Sequence, residues 1–161
     1  VRMGETFLYL LPVLFAFIGA GGFAVIYNIH GGGILICAFG GALGWLVYLA
    51  SAPLLQSEIT QSFLAAIVIS AYSEAMARVR KCPVTGYLLV ASFPLVPGGG
   101  IYYTMEHAIN GEIDLFLSTF LHTLGIAGAL AVGVLLVSSA VRMWTNYHHR
   151  RVLSRHREDR P

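Results

Sequence analysis

The sequence predicts an all-α integral membrane protein with about five transmembrane helices, the fourth broken at a Pro/Gly motif. Three observations carry that expectation. The 161 residues are 57% hydrophobic and 11% charged, against roughly 25% charged in soluble domains, and the mean hydropathy is +0.72. The apolar runs are long and continuous, without the period-2 alternation of a membrane barrel. One of them contains Pro94, Pro97, Gly98, Gly99 and Gly100, residue types that interrupt a helix.

A span needs about 20 residues at 1.5 Å each to cross about 30 Å of hydrocarbon. Five segments read as spans: 7–26, 34–50, 62–79, 84–105 and 117–137. The first is longer than the apolar core of a secretory leader and is preceded only by Arg2 and Glu5, so it reads as a retained span. The second is the shortest and is rich in glycine; Gly40 and Gly44 form a G-x-x-x-G pair suited to close helix packing. The fifth carries Gly125, Ala129 and Gly133 at the same spacing, and His122, which reads as a packed, hydrogen-bonded histidine. Trp45, Tyr48 and Trp144 fit an interfacial aromatic belt. The connections 27–33, 51–61, 80–83 and 106–116 leave no room for a soluble domain. The expected organisation is one transmembrane domain, 1–141, and a basic cytoplasmic tail, 142–161.

Charge placement gives the orientation. Arg78, Arg80 and Lys81 close the third span, and Arg142, Arg150, Arg151, Arg155, Arg157 and Arg160 follow the fifth. Two spans separate these clusters, so five spans put both on one side, which the positive-inside rule makes cytoplasmic. The acidic loop with Glu106, Glu112 and Asp114 falls opposite. The N-terminus is then outside and the C-terminus inside. A four-span arrangement, with the second segment only partly inserted, would put both termini inside.

Several function classes are disfavoured. A basic tail beside a span follows from insertion, so no nucleic-acid partner is implied. Cys37 and Cys82 read as small packing residues and not as a disulfide or metal pair. His148 and His149 are adjacent and do not share a helix face. No nucleophile–base arrangement is present, so neither an enzyme, a metal nor a cofactor is expected.

Two constellations stand out. In the third span Ser62, Ala66, Ser70, Glu74 and Arg78 recur every four residues and share one face. Glu74 has two readings: an ion pair with Arg78 near the interface, or a proton-coupling or solute-facing carboxylate. In the fourth span, a half-helix beginning near Gly98, Gly99 and Gly100 would aim free N–H groups into the membrane interior, where they suit a carboxylate. Tyr102 and Tyr103 could add hydroxyls or close the site. Broken backbone is tolerated at this depth where protein covers it or where it lines a cavity. Two prolines and three glycines exceed what a kink requires, which favours a transport site.

The stretch P-L-V-P-G-G-G-I-Y-Y-T-M at 94–105 resembles the threonine/serine exporter family, in its small membrane-subunit branch. G-F-A-V-I-Y-N at 22–28 and E-A-M-A-R-V-R-K-C-P at 74–83 reinforce the resemblance, in order and spacing, over nearly the whole chain before the tail. The resemblance implies export of threonine and serine, or of small dicarboxylates in a related branch, across the bacterial cytoplasmic membrane. It also implies a partner, since members occur as one chain of about ten spans or as two shorter chains. A second membrane subunit or a homo-oligomer is expected, with the site at an inverted-repeat interface. The competing expectations are a membrane scaffold that stabilises a partner transporter, and a channel.

Overall fold

The computed structural model describes the backbone of residues 2–158 and the side chains of residues 10–145. Its elements run α1 (Arg2–Ile26), α2 (Gly32–Ser51), α3 (Glu58–Arg80), α4 (Val84–Ser92), a 3₁₀ turn (Phe93–Leu95), α5 (Gly98–Asn110) and α6 (Ile113–Glu158). No strand occurs among the described residues. The expected apolar segments all appear as helices in the expected order. By length and composition three helical stretches can cross a membrane: Gly32–Ser51, Glu58–Arg80 and Ile113–Thr145. A fourth span follows if α4 and α5, bent by 55° at their break, are counted together. The described apolar part of α1, Leu10–Ile26, is shorter.

Local sequence explains the boundaries. α1 ends where Asn28 turns to φ +59°, and α2 begins after Gly31 at φ +61°. α3 opens with Glu58 in its first turn and closes with Arg78 and Arg80 in its last, the charge order a helix dipole favours. Lys81, at φ +52°, caps it through its N–H to the Ala77 and Arg78 carbonyls. Two connections are shorter than the sequence suggested. The segment 51–61 already contains the first turn of α3. Within 106–116 only Gly111 and Glu112 are non-helical, because nothing before Gly111 (φ +74°) requires the chain to leave the helix. His107 Nδ1 and Glu112 Oε2, 2.6 Å apart, close that turn.

α2 is central and packs on α1, α3 and α4, while α6 packs on α3 and α5 packs on α6. The contacts are close because the facing residues are small, the means by which helices associate in lipid. An ideal Cβ on Gly41 would lie 2.6 Å from Ala20 Cβ, one on Gly44 2.7 Å from Ile69 Cγ2, and one on Gly133 2.7 Å from Ala66 Cβ. Two small cores result. One joins Ala20, Ala24, Cys37, Ala77, Tyr87 and Val90; the other joins Ala65, Ile69, Ala91 and Leu95 beside the break. The Tyr72 hydroxyl donates to the Ile36 carbonyl at 3.0 Å and ties α3 to α2.

The apolar stretch of α6, 33 residues, is roughly 50 Å long at 1.5 Å per residue, more than the hydrocarbon thickness. Gly125 meets Ile59, the second residue of α3. Residues 113–124 of α6 therefore run past the start of α3, and α5 folds back along them. The bend at the proline-glycine break makes this possible: it turns the chain out of the α4 direction and onto α6.

Candidate functional site

The break is built by its sequence. Pro94 sits in the 3₁₀ turn, where its missing N–H costs no hydrogen bond. Val96 is extended, at φ −62° and ψ 128°, the conformation favoured before a proline. Pro97 then occupies the position before α5. At the start of α5, the Gly98 N–H goes to the Val96 carbonyl at 2.7 Å and the Ile101 N–H to the Pro97 carbonyl at 3.1 Å. The Gly99 and Gly100 N–H groups have no backbone acceptor among the described residues, as expected of a first helical turn. An added Cβ on Gly98 or Gly99 would meet nothing within 4 Å, whereas one on Gly100 would collide with the Thr123 side chain. Gly100 is where α5 touches α6; Gly98 and Gly99 face open space.

That space is a cavity of about 280 Å³, near the lower end of small-molecule sites, at about 300 Å³. The break, Pro94 to Gly100, forms one wall. Trp45 and Tyr48 of α2 form another, Glu58 and Ser62 of α3 a third, and Thr119, His122, Thr123 and Ile126 of α6 the last. Across it His122 Nε2 and Glu58 Oε2 lie 3.0 Å apart, joining α6 to α3. The Trp45 and Tyr48 rings stack at 5.3 Å, and the Trp45 Nε1 donor is buried without an acceptor. Thr104 Oγ1 donates to the Gly100 carbonyl at 2.6 Å, and Thr123 Oγ1 to the Thr119 carbonyl at 2.7 Å. Each hydroxyl oxygen keeps acceptor capacity.

The site therefore offers the Gly99 and Gly100 N–H groups as donors and a carboxylate with hydroxyls as acceptors. No lysine or arginine lines it. It can hold a small molecule bearing both an anionic and a cationic group.

The residues picked out from sequence divide into three sets. Pro94, Pro97, Gly98, Gly99 and Gly100 come together as the cavity wall. Tyr102 and Tyr103 are 65% and 55% exposed on α5, edge to face with each other at 5.4 Å, and do not line it. Ser70, Glu74 and Arg78 lie further along α3. Ser70 is fully buried and its hydroxyl has no partner among the described residues. Glu74 and Arg78 pair at 3.8 Å, and Arg78 Nη2 also donates to Thr145 Oγ1 of α6 at 3.2 Å. The histidines of the tail lie outside the residues whose side chains are described. No cluster able to hold a metal ion occurs among the described residues.

Two groups were read differently from sequence. Trp45 and Tyr48, expected in an interfacial belt, line the cavity, because the α2 face that carries them meets the break. His122, expected to be packed, is hydrogen bonded but half exposed, and its partner is Glu58. Glu58 falls in the 51–61 connection expected from the sequence. The signal that marks it is a carboxylate directly after Ser57 at the head of an apolar run, the pattern of a helical first turn.

A discontinuous helix that opens a cavity within a bundle of apolar helices is an arrangement that membrane transporters use. The model for the threonine/serine exporter family (threonine/serine exporter, ThrE) matches residues 12–140, most of the chain, including every cavity residue. The chain belongs to the threonine/serine exporter family and has its exporter-type transport role. Comparison with curated proteins finds no match, and comparison with solved structures finds none.

Proposed function

We propose that this chain is one subunit of a secondary transporter exporting small hydroxyl-bearing amino acids, threonine and serine, across the bacterial cytoplasmic membrane. The carrying observation is the cavity at the break, lined both by Gly99 and Gly100, whose N–H groups have no backbone acceptor among the described residues, and by Glu58. An α-carboxylate would meet the Gly99 and Gly100 N–H groups, the α-ammonium would meet Glu58, and the side-chain hydroxyl would meet Ser62 or Thr119. A dicarboxylate such as succinate would set its second carboxylate against Glu58, and like charges that close repel by several kcal/mol. The break acts directly on the solute in this reading, so a non-transporting scaffold is the weaker alternative. The reading needs no catalytic step and no cofactor.

The same geometry supports a direction and a partner. The Arg78–Thr145 bond sets the basic end of α3 beside the segment of α6 that leads into Arg150 and Arg151. Both basic clusters thus share one end, cytoplasmic by the positive-inside rule, and the cavity lies towards the other. α5 packs chiefly on α6, and Ile101, Met105, Ile109, Leu117, Leu121 and Leu124 stay exposed on this pair. A second membrane chain, of the same family or a copy of this one, covers that surface and completes the path.

Efflux of labelled threonine, serine and succinate from proteoliposomes, with and without a co-purified membrane partner, tests the proposal. Threonine and serine should leave faster than succinate, and collapse of the ion gradient should slow them, which a channel would not show. No efflux of any of the three from an intact complex would sink the reading.

A further inference from the structure

Among the described residues, the ion pairs other than Glu58–His122 are local. Glu74 and Arg78 are four residues apart, and His107 and Glu112 five. Glu58 and His122 are 64 residues apart in sequence and belong to different helices. They also both line the cavity, together with Gly99 and Gly100 of α5. An ion pair built only to hold α3 against α6 has no need of that position: Ile59 on Gly125 and Ala66 on Gly133 already make the contact.

We propose that Glu58 and His122 form one exchangeable cation site, at which a proton carried by His122 and the ammonium group of the solute compete for the Glu58 carboxylate. This rests on the reading of the cavity as the solute site. With the solute absent, protonated His122 holds Glu58. When the solute enters, its ammonium takes the carboxylate, and an imidazolium without its counter-charge gives its proton to water. The solute arrives as a zwitterion of no net charge and one proton leaves, so solute and proton exchange one for one and each exchange carries one positive charge. The side chains of His122 and Glu58 are 49% and 57% exposed, so neither is sealed within the bundle. On the more acidic side of a membrane the proton displaces the solute. A cavity opening on that side therefore releases its cargo there, which is export.

The surroundings fit a single titrating pair. Tyr48, on α2, is the other ionisable group lining the cavity. None occurs from Phe93 to Gly100, and the next ionisable residue of α3 is Tyr72, bonded to α2. α5 carries Tyr102, Tyr103, Glu106 and His107, none of them lining the cavity, and His107 is held by Glu112. Asp114, on α6, does not line it either.

The test uses the full chain in its transport-competent complex, with Trp144→Phe so that Trp45, in the cavity wall, reports binding by fluorescence. L-Threonine is titrated between pH 5.5 and 8.0, and proton release on saturation is read in weak buffer. Competition predicts a Kd that weakens as pH falls, approaching on the order of tenfold per unit for one competing proton, with close to one proton released per solute bound. His122→Asn and His122→Gln should flatten this dependence to below about twofold per unit, and Glu58→Asp should retain it. A parent complex that transports threonine with a pH-independent Kd, or with no proton release, overturns the competition and leaves the transport reading standing. An unchanged pH dependence in both His122 variants overturns it equally. A parent complex that neither binds nor exports threonine overturns the cavity reading itself, and the competition with it.

Discussion

Gly100→Ala is the most informative single change at the break, because the structure isolates one obstacle to it. The three atoms nearest the new Cβ all belong to Thr123: Oγ1, in collision, and Cβ and Cγ2, each at 3.3 Å. Thr123 cannot easily swing aside, being 8% exposed with its hydroxyl bonded to the Thr119 carbonyl. Overpacking of this kind costs about 1–3 kcal/mol. Alanine's helix preference over glycine returns up to about 1 kcal/mol, and less in a first turn. The net loss is about 1–2 kcal/mol, or roughly 2–8 °C in Tm for a chain of this size. Thr123→Ala removes Oγ1 and Cγ2 and leaves only the 3.3 Å approach. In that background Gly100→Ala should cost no more than about 0.5 kcal/mol, so the two changes couple strongly. Thermal unfolding of the four proteins in detergent measures the cycle. Additive losses, or a Gly100→Ala protein as stable as its parent, would refute the claim that Gly100 exists for contact with α6. Gly99→Ala is the internal control: its methyl meets nothing within 4 Å, so stability should hold while threonine affinity falls, because the methyl occupies the cavity beside the free N–H groups.

Two further outcomes follow from the geometry. Glu74→Gln breaks a pair whose arginine is 54% exposed, so it should change stability by less than about 1 kcal/mol and leave the pH dependence of efflux intact; loss of that dependence would instead make Glu74 the coupling group. With Cys37 and Cys82 replaced by alanine, Thr119→Cys should react with a membrane-impermeant thiol reagent added outside cells, and the fully buried Ser70→Cys should not. Labelling only from the cytoplasmic side would reverse the orientation.

The class of molecule, the order of its apolar segments and the place of the break can all be read from the residues alone. Those properties are local: a hydrophobic run long enough for lipid, a proline without an N–H and glycines tolerant of any φ announce themselves over a few residues. The glycine faces at Gly40 and Gly44, and at Gly125 and Gly133, were legible for the same reason, and each does make a close helix contact. Which side chains share the break's cavity depends instead on how the helices pack. Glu58 and His122 lie far apart in sequence, one at the head of α3 and the other well inside α6, and no periodicity links them. They meet because small residues let α6 lie directly on α3, and because the 55° bend turns α5 onto the part of α6 that α3 leaves bare. The polar stripe of α3 shows the complementary limit. Its spacing marked Ser62, Ser70 and Glu74 as one face, but a shared face does not make a shared site. Packing opened the cavity at Ser62, buried Ser70 and left Glu74 to Arg78 near the opposite end of the helix.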